Sequence, residues 1–153
     1  ASVEIEKDKI TISQPQNGVF HPLFVDARDI PDLVPILAVL AGRSLESSVI
    51  YHAERLKIKE SDRLQTTAAL LKVLGVKVQP KEDGLSIMGT KIFQSCTAES
   101  FNDHRIAMST AIAATAANGP VYLHAAEAVR KSYPNFYQDY QVLGGNINVI
   151  NLE

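Results

Sequence analysis

An α/β fold built from repeated β-α-β-α-β-β units is what this sequence predicts, on three observations. Alternating and β-branched apolar runs keep giving way to apolar residues spaced three and four apart, so the pattern switches between strand and helix period. Glycine, proline and asparagine close the segments. The order strand, helix, strand, helix, strand, strand read from residue 24 onward then begins again after residue 91. At 153 residues the chain suffices for one compact core, and a second independent domain is not expected.

The first residues alternate, Val3 and Ile5 then Ile10 and Ile12, about a Lys7-Asp8-Lys9 tip. This predicts a β-hairpin over 2–13 with one buried face. Residues 14–24, rich in Pro, Gly and Asn, read as a loop, and Phe24-Val25-Asp26 as a short strand. Pro31 opens the apolar stretch from Leu33 to Leu40 and Gly42 ends it, the bounds expected of a helix. Ser47 to His52 has β-branched character and reads as a strand. After Asp62, a helix buries Leu64, Thr67, Ala68, Leu71 and Leu74 and stops at Gly75. Val76 and Val78, then Leu85 and Ile87, flank a hairpin turn ending in Asp83-Gly84. The second unit reads as a strand near 92–98, a helix over 104–118 and the strand Val121 to His124. A helix from about Pro134 to Leu143, with Ser132 as its N-cap, and a last strand over Ile147 to Val149 complete it.

Composition narrows the function classes. Lys and Arg total 15 against 17 Asp and Glu, a net charge of −2. Nucleic-acid binding by phosphate neutralisation calls for a basic surface, so no nucleic-acid partner is expected. The lone Cys96 excludes an internal disulfide framework and a cysteine-rich zinc site, and no metal or cofactor motif is present. No apolar run approaches the ~20 residues that span a bilayer, and the N-terminus lacks the pattern of a signal peptide. A reducing, cytoplasmic setting with no membrane partner is the expectation.

The chemistry concentrates in charged clusters beside predicted helix openings. Lys59-Glu60-Ser61-Asp62-Arg63 packs two cations and three carboxylate- or hydroxyl-bearing residues at the mouth of one helix, with Arg55 and Lys57 just upstream. Asn102-Asp103-His104-Arg105 opens another, and Arg130-Lys131-Ser132 precedes a third. Helix N-termini attract anions, and a cation in the first turn opposes the dipole by up to ~1 kcal/mol unless an anionic ligand compensates. The plain alternative for each cluster is a solvated first turn: Asp32 favoured by the dipole, Glu60 paired with Arg63 three residues on, Asp103 capping its helix. Taken together they offer Asp32 and Glu60 as acid or base, Lys59, Arg63, Arg105 and Lys131 as anion ligands, and His104 as a further proton donor. One anion site assembled from several loops is the prediction.

These segments resemble the 5-enolpyruvylshikimate-3-phosphate synthase family. Lys59 to Arg63 is similar to its KE(S/T)DR segment and Asn102 to Met108 to its NDHR(M/I)AM segment. Ile30-Pro31-Asp32 and Lys131-Ser132-Tyr133-Pro134 are similar to its IPD and K(T/S)(F/Y)P segments, in the same order. The resemblance implies the enolpyruvyl transferase fold, with helices packed inside sheets, and a transferase of the shikimate pathway to aromatic amino acids. The reaction implied moves the enolpyruvyl group of phosphoenolpyruvate to the 5-hydroxyl of shikimate 3-phosphate and releases phosphate; the family is the glyphosate target and needs no cofactor.

Residue by residue, Asp32 resembles the acid that takes the 5-hydroxyl proton. Lys59 resembles the lysine at the junction of both substrates, and Glu60 the acid that protonates the methylene carbon. Arg63, Arg105 and Lys131 resemble the cations that hold phosphoenolpyruvate, and His104 a histidine at the pocket edge. Arg55 stands where some members carry an asparagine that touches shikimate 3-phosphate. The family enzyme is much longer and closes its site between two domains, so residues 1–153 are expected to be a single partial domain. Its units would be roughly 14–90 and 91–153 after a hairpin 2–13, with the N-terminal part of the protein as partner and no activity alone. Two alternatives stand beside this: an enzyme like UDP-N-acetylglucosamine enolpyruvyl transferase, and a non-catalytic anion-binding module.

Overall fold

The structure, a computed structural model, describes residues 2–13 and 20–150; of the loop predicted over 14–24, residues 14–19 lie outside the described residues. Strands β1 (Ser2–Ile5) and β2 (Ile10–Ser13) pair antiparallel as the predicted hairpin. The next sheet runs β3 (Phe24–Asp26), β4 (Ser47–Tyr51), β6 (Gly84–Met88), β5 (Lys77–Lys81), with β3 parallel to β4 and the rest antiparallel. In the third, β7 (Cys96–Glu99) lies parallel to β8 (Val121–His124). A parallel pair needs a crossover, and helices supply it: α1 (Val34–Ala41) between β3 and β4, α3 (His104–Ala114) between β7 and β8. The helix α2 (Arg63–Val73) leads into the β5–β6 hairpin, and α4 (Phe136–Val142) follows β8.

Helices α1, α2 and α3 pack their buried faces against the strands. Val34 and Ala38 of α1, Leu64, Ala68 and Leu71 of α2, and Ile106 and Ala113 of α3 share one buried cluster with Ile50, Leu85, Ile87 and Ala98 of the strands. Alanines among these contacts let the helices approach closely, and each fully buried leucine or isoleucine contributes roughly 1.5–3 kcal/mol. The two units repeat in detail. Phe20 bridges Ser44 as Phe93 bridges Ala117, each partner 73 residues beyond its counterpart. The same interval separates left-handed His52 (φ 53°) after β4 from left-handed Ala125 (φ 52°) after β8. Asp62 and Asn135, the residues that precede α2 and α4, repeat it again.

Five expectations need correction. The hairpin face is not buried: Val3, Ile5, Ile10 and Ile12 are all more than half exposed, because no described element covers them. The β5–β6 turn is Glu82-Asp83, and Gly84 already belongs to β6, paired with Lys81. A Cβ on Gly84 would come within 2.0 Å of the Ile50 carbonyl oxygen, so close approach to β4 accounts for the glycine better than turn shape. Helix α3 stops at Ala114 and not at residue 118, because Ala116 and Asn118 exchange backbone hydrogen bonds with Phe93. Ser132 does not cap α4: it ends a 3₁₀ turn, and Asn135 precedes the helix. Residues 145–150 form no strand: among the described residues they join no ladder, the Gly145 amide instead donating to the Tyr140 carbonyl, and Val149 is exposed.

Candidate active site

Local structure sets the functional side chains at one end of the helices. Asp32 sits in a 3₁₀ turn, Pro31–Leu33, that runs directly into α1. Lys59 follows another 3₁₀ turn, Glu54–Ile58, in extended backbone (φ −89°, ψ −161°). Asp62 then caps α2 by accepting from the Gln65 amide at 3.2 Å. Two successive left-handed residues, Phe101 and Asn102, turn the chain out of β7, and Asp103 caps α3 by accepting from the Arg105 amide at 2.9 Å. Arg63, His104 and Arg105 therefore open helices as predicted. Lys131 does not: it lies in the last turn of a 3₁₀ segment, Ala126–Lys131, where carbonyls rather than amides face outward. It still reaches the same end of the molecule, donating to the Asn102 carbonyl at 2.5 Å.

Arg63 is the hub of this end, and it is 1% exposed. Its Nε donates to Asp103 Oδ2 at 2.8 Å and its Nη2 reaches Asp103 Oδ1 at 3.3 Å, a two-pronged contact that fixes the guanidinium plane. That orientation sends Nη1 to Asp32 Oδ1 at 2.7 Å and Nη2 also to Glu60. Asp103, fully buried, accepts in addition from Ser61 Oγ at 2.9 Å, and Ser61 meets Thr66 at 3.1 Å. Burial pushes the Asp103 carboxyl up, but hydrogen bonds from Arg63 and the Arg105 amide outweigh it and hold the group below its ordinary value. Burial likewise works against the charge on Arg63, and Asp103, Glu60 and Asp32 together more than restore it.

Asp32 is the second convergence point. Besides Arg63 it pairs with Lys59 Nζ at 3.2 Å through Oδ1 and faces Arg105 Nη2 at 3.8 Å through Oδ2. Partial burial raises its carboxyl, and the Lys59 and Arg63 hydrogen bonds prevail to lower it. Three cations and three carboxylates, from α1, α2, α3 and their leading turns, thus form one neutral network. Lys59 and Arg105, unlike Arg63, keep about a quarter to a third of their side chains open to solvent. Beside Asp32 and Arg105 runs a shallow groove of about 180 Å³ between α1 and α3, floored by Leu33, Ile36, Met108 and Ile112.

His104 is 7% exposed, its Nδ1 has no hydrogen-bond partner among the described residues, and burial lowers its pKa against the pull of Asp103 and Glu60. A neutral imidazole at the network's edge results. Arg55 stands apart: among the described residues its hydrogen bond is to the Arg28 carbonyl, at 3.4 Å. The sequence reading missed the size of Asp103's role, treating it as a cap alone. The available signal was Arg63 itself, since a cation beside Leu64 at the start of an apolar helix requires a buried counter-charge. Nothing in the pattern says that the counter-charge lies 40 residues away. A second polar cluster also went unread: His52 Nδ1 lies 3.1 Å from Asp26 and 2.9 Å from Arg28.

Comparison with known proteins places the chain as a whole. Residues 1–140 match the family model described as EPSP synthase (3-phosphoshikimate 1-carboxyvinyltransferase). The 3-phosphoshikimate 1-carboxyvinyltransferase of Clostridium novyi is 41% identical over 97% of this chain and 33% of its own length. That of Clostridium acetobutylicum is 46% identical over 84% of this chain and 30% of its own. The chain spans about a third of the length of such relatives. Among solved structures, EPSP synthase from Acinetobacter baumannii superposes with a TM-score of 0.74 at 35% identity, over 79% of this chain and 29% of that one. The enolpyruvyl transferase NikO from Streptomyces tendae reaches 0.78 at 21% identity, over 96% and 33%, a likeness of fold.

Proposed function

This chain belongs to the EPSP synthase family, and from that premise we propose that it supplies one wall of an active site transferring the enolpyruvyl group of phosphoenolpyruvate to the 5-hydroxyl of shikimate 3-phosphate. The observation that carries the reading is the convergence of Lys59, Arg63 and Arg105 on Asp32, with Glu60 on the other side of Arg63. Such a transfer passes through a tetrahedral intermediate: an oxygen attacks one carbon of the double bond while the neighbouring carbon is protonated. It needs a base and an acid flanking the double bond, each worth about 10²–10⁴-fold in rate, and fixed cations for the donor's charge.

In this reading Asp32 takes the hydroxyl proton and Glu60 delivers one to the methylene carbon. Lys59, Arg105 and Lys131 hold the anionic donor, neutral His104 edges the pocket, and Arg55 flanks the acceptor. Arg63 is spent on three carboxylates, so its part is to hold the acid and the base at fixed separation. Residues 1–153 are part of one domain, with units roughly 14–90 and 91–153 after the hairpin 2–13, and a second wall comes from the remainder of the enzyme, in the cytoplasm. No helix among the described residues is long and apolar enough to cross a membrane.

The test is to graft this chain in place of the matching third of the Clostridium acetobutylicum relative and follow phosphate release from phosphoenolpyruvate and shikimate 3-phosphate. Turnover by the hybrid, its loss in Asp32→Ala and Lys59→Met, and none by this chain alone are expected. A folded hybrid that binds neither substrate would refute the reading, as would robust turnover by the single chain refute the half-site.

A further inference from the structure

The 73-residue repeat extends to strand register, and the second unit leaves open an edge that the first unit covers. Phe24 lies opposite Val49 where β3 meets β4; Thr97 and Tyr122, each 73 residues on, lie opposite one another where β7 meets β8. In the first unit β6 covers the other edge of β4, setting Leu85 against Ile50 and Ile87 against Ser48, all four buried. Among the described residues no strand covers the matching edge of β8. There Leu123 and Val121 hold the places of Ile50 and Ser48 and are only half-buried. The helices differ in the same sense. Leu70 of α2, the helix that packs against β5, is 2% exposed, whereas Leu143, 73 residues on at the end of α4, is 88% exposed.

The chain also carries a hairpin with no sheet to join. Hairpin β1–β2 closes on Ser2 opposite Ser13 and β5–β6 on Lys77 opposite Met88, each pair eleven residues apart. Within that frame Ile10 and Ile12 hold the places of Leu85 and Ile87, which are fully buried, yet both are exposed. We propose that two copies of this chain exchange hairpins, β2 of each adding antiparallel to β8 of the other as β6 adds to β4. The partner's Ile10 then lies opposite Leu123 and the partner's Ile12 opposite Val121. Main-chain hydrogen bonds hold an added strand, and alternation fixes its register, since a slip of one residue would turn both isoleucines to solvent. Nothing is given up in the exchange, because no residue of 2–13 belongs to the buried cluster. A reciprocal exchange satisfies both openings and closes at two copies. The surface shared is small, so association is weak, with half-association near ~100 µM. At a few micromolar the chain is single and its hairpin face is open.

Sedimentation of this chain between about 5 and 500 µM is expected to pass from a single chain to a dimer and to stop there. Ile10→Glu, on an exposed face where no folding defect intrudes, should raise the half-association concentration at least about tenfold. Leu45→Glu, equally exposed but outside the hairpin and β8, should stay within about twofold. A cysteine pair reads the register. The Val49 amide donates to Leu23, on the β3 side, so Val49 and Ser86 form a non-hydrogen-bonded pair, the close kind that a disulfide spans. Tyr122 and the partner's Thr11 take those places. Thr11→Cys with Tyr122→Cys, in a chain that also carries Cys96→Ser, is expected to oxidise to a dimer linked between copies. A single chain at every concentration, growth past two copies, association indifferent to Ile10→Glu or equally lost in Leu45→Glu, or a disulfide closed within one chain would each overturn the proposal. None of these measurements uses turnover, so they stand apart from the functional reading.

Discussion

At the scale of single residues, Asp103 carries more than its place at a helix N-cap suggests. Its buried carboxylate neutralises the buried Arg63 guanidinium, receives Ser61, and still satisfies the first turn of α3. Removing one member of a buried pair leaves an uncompensated charge, which typically costs 3–5 kcal/mol, whereas an N-cap alone is worth about 1. Asp103→Asn keeps a capping side chain but turns donors toward Arg63. We expect it to lose about 3 kcal/mol in urea unfolding near neutral pH, and a loss near 1 would mean that only the cap mattered. The pH dependence follows from sign. Asp103 is held below its ordinary value of 3.8 in the folded chain, so its contribution is full above that value and disappears as pH falls through the lower, folded one. Asp103→Asn should therefore flatten the acid limb of the stability curve, which urea midpoints taken from pH 5 downward would show.

At the scale of elements, β6 is fixed by what it lacks. The Ile50 carbonyl occupies the space a side chain at residue 84 would need. Gly84→Ala is expected to destabilise by roughly 1–3 kcal/mol, the usual range for overpacking, through parting β4 from β6; an unfolding midpoint like that of the natural chain would refute the contact. Helix α4 has a different anchor. Tyr137 donates to the Ala126 carbonyl at 3.0 Å, and burial pushes its phenol up to about 12. A raised value means stability intact below pH 10 and lost as pH climbs toward 12. Tyr133 and Tyr140 are raised as well, so several phenolates should form late in ultraviolet titration, and Tyr137→Phe should remove the one that forms near pH 12.

These elements also show what sequence could deliver. Helices α1, α2 and α3 and strands β3 to β8 were legible because apolar period and closing residues are local properties. The 73-residue repeat of bridges and left-handed residues lay beneath that pattern, visible only once strands were paired. The clusters around Lys59 and Asn102 were legible as charge at helix openings. Their wiring was not, because Arg63–Asp103 and Arg63–Asp32 are contacts between elements. The start of α4 went wrong for a local reason: Ser132 and Tyr133 both donate to the Val129 carbonyl, and that turn delays the helix past Pro134.

At the scale of the molecule, the chain presents apolar surface that its own core does not use. Val3 pairs with Ile12 and Ile5 with Ile10 on one face of the hairpin, at 57%, 72%, 76% and 64% exposure. Apolar surface of that kind is more than a single chain ordinarily leaves in water. The chain spans about a third of the length of the relatives it matches. The energetic consequence is definite. Side chains that remain in water gain little from folding, and a two-stranded hairpin standing alone is marginal. None of residues 2–13 belongs to the buried cluster that α1, α2 and α3 share. Deleting residues 1–13 should therefore change the unfolding free energy of this chain by less than ~1 kcal/mol, the scale expected where no buried contact is lost. Urea denaturation of the shortened and natural chains checks it. A loss of ~3 kcal/mol would mean that the hairpin folds back on the core in solution, and the open face described here would then belong to the interior.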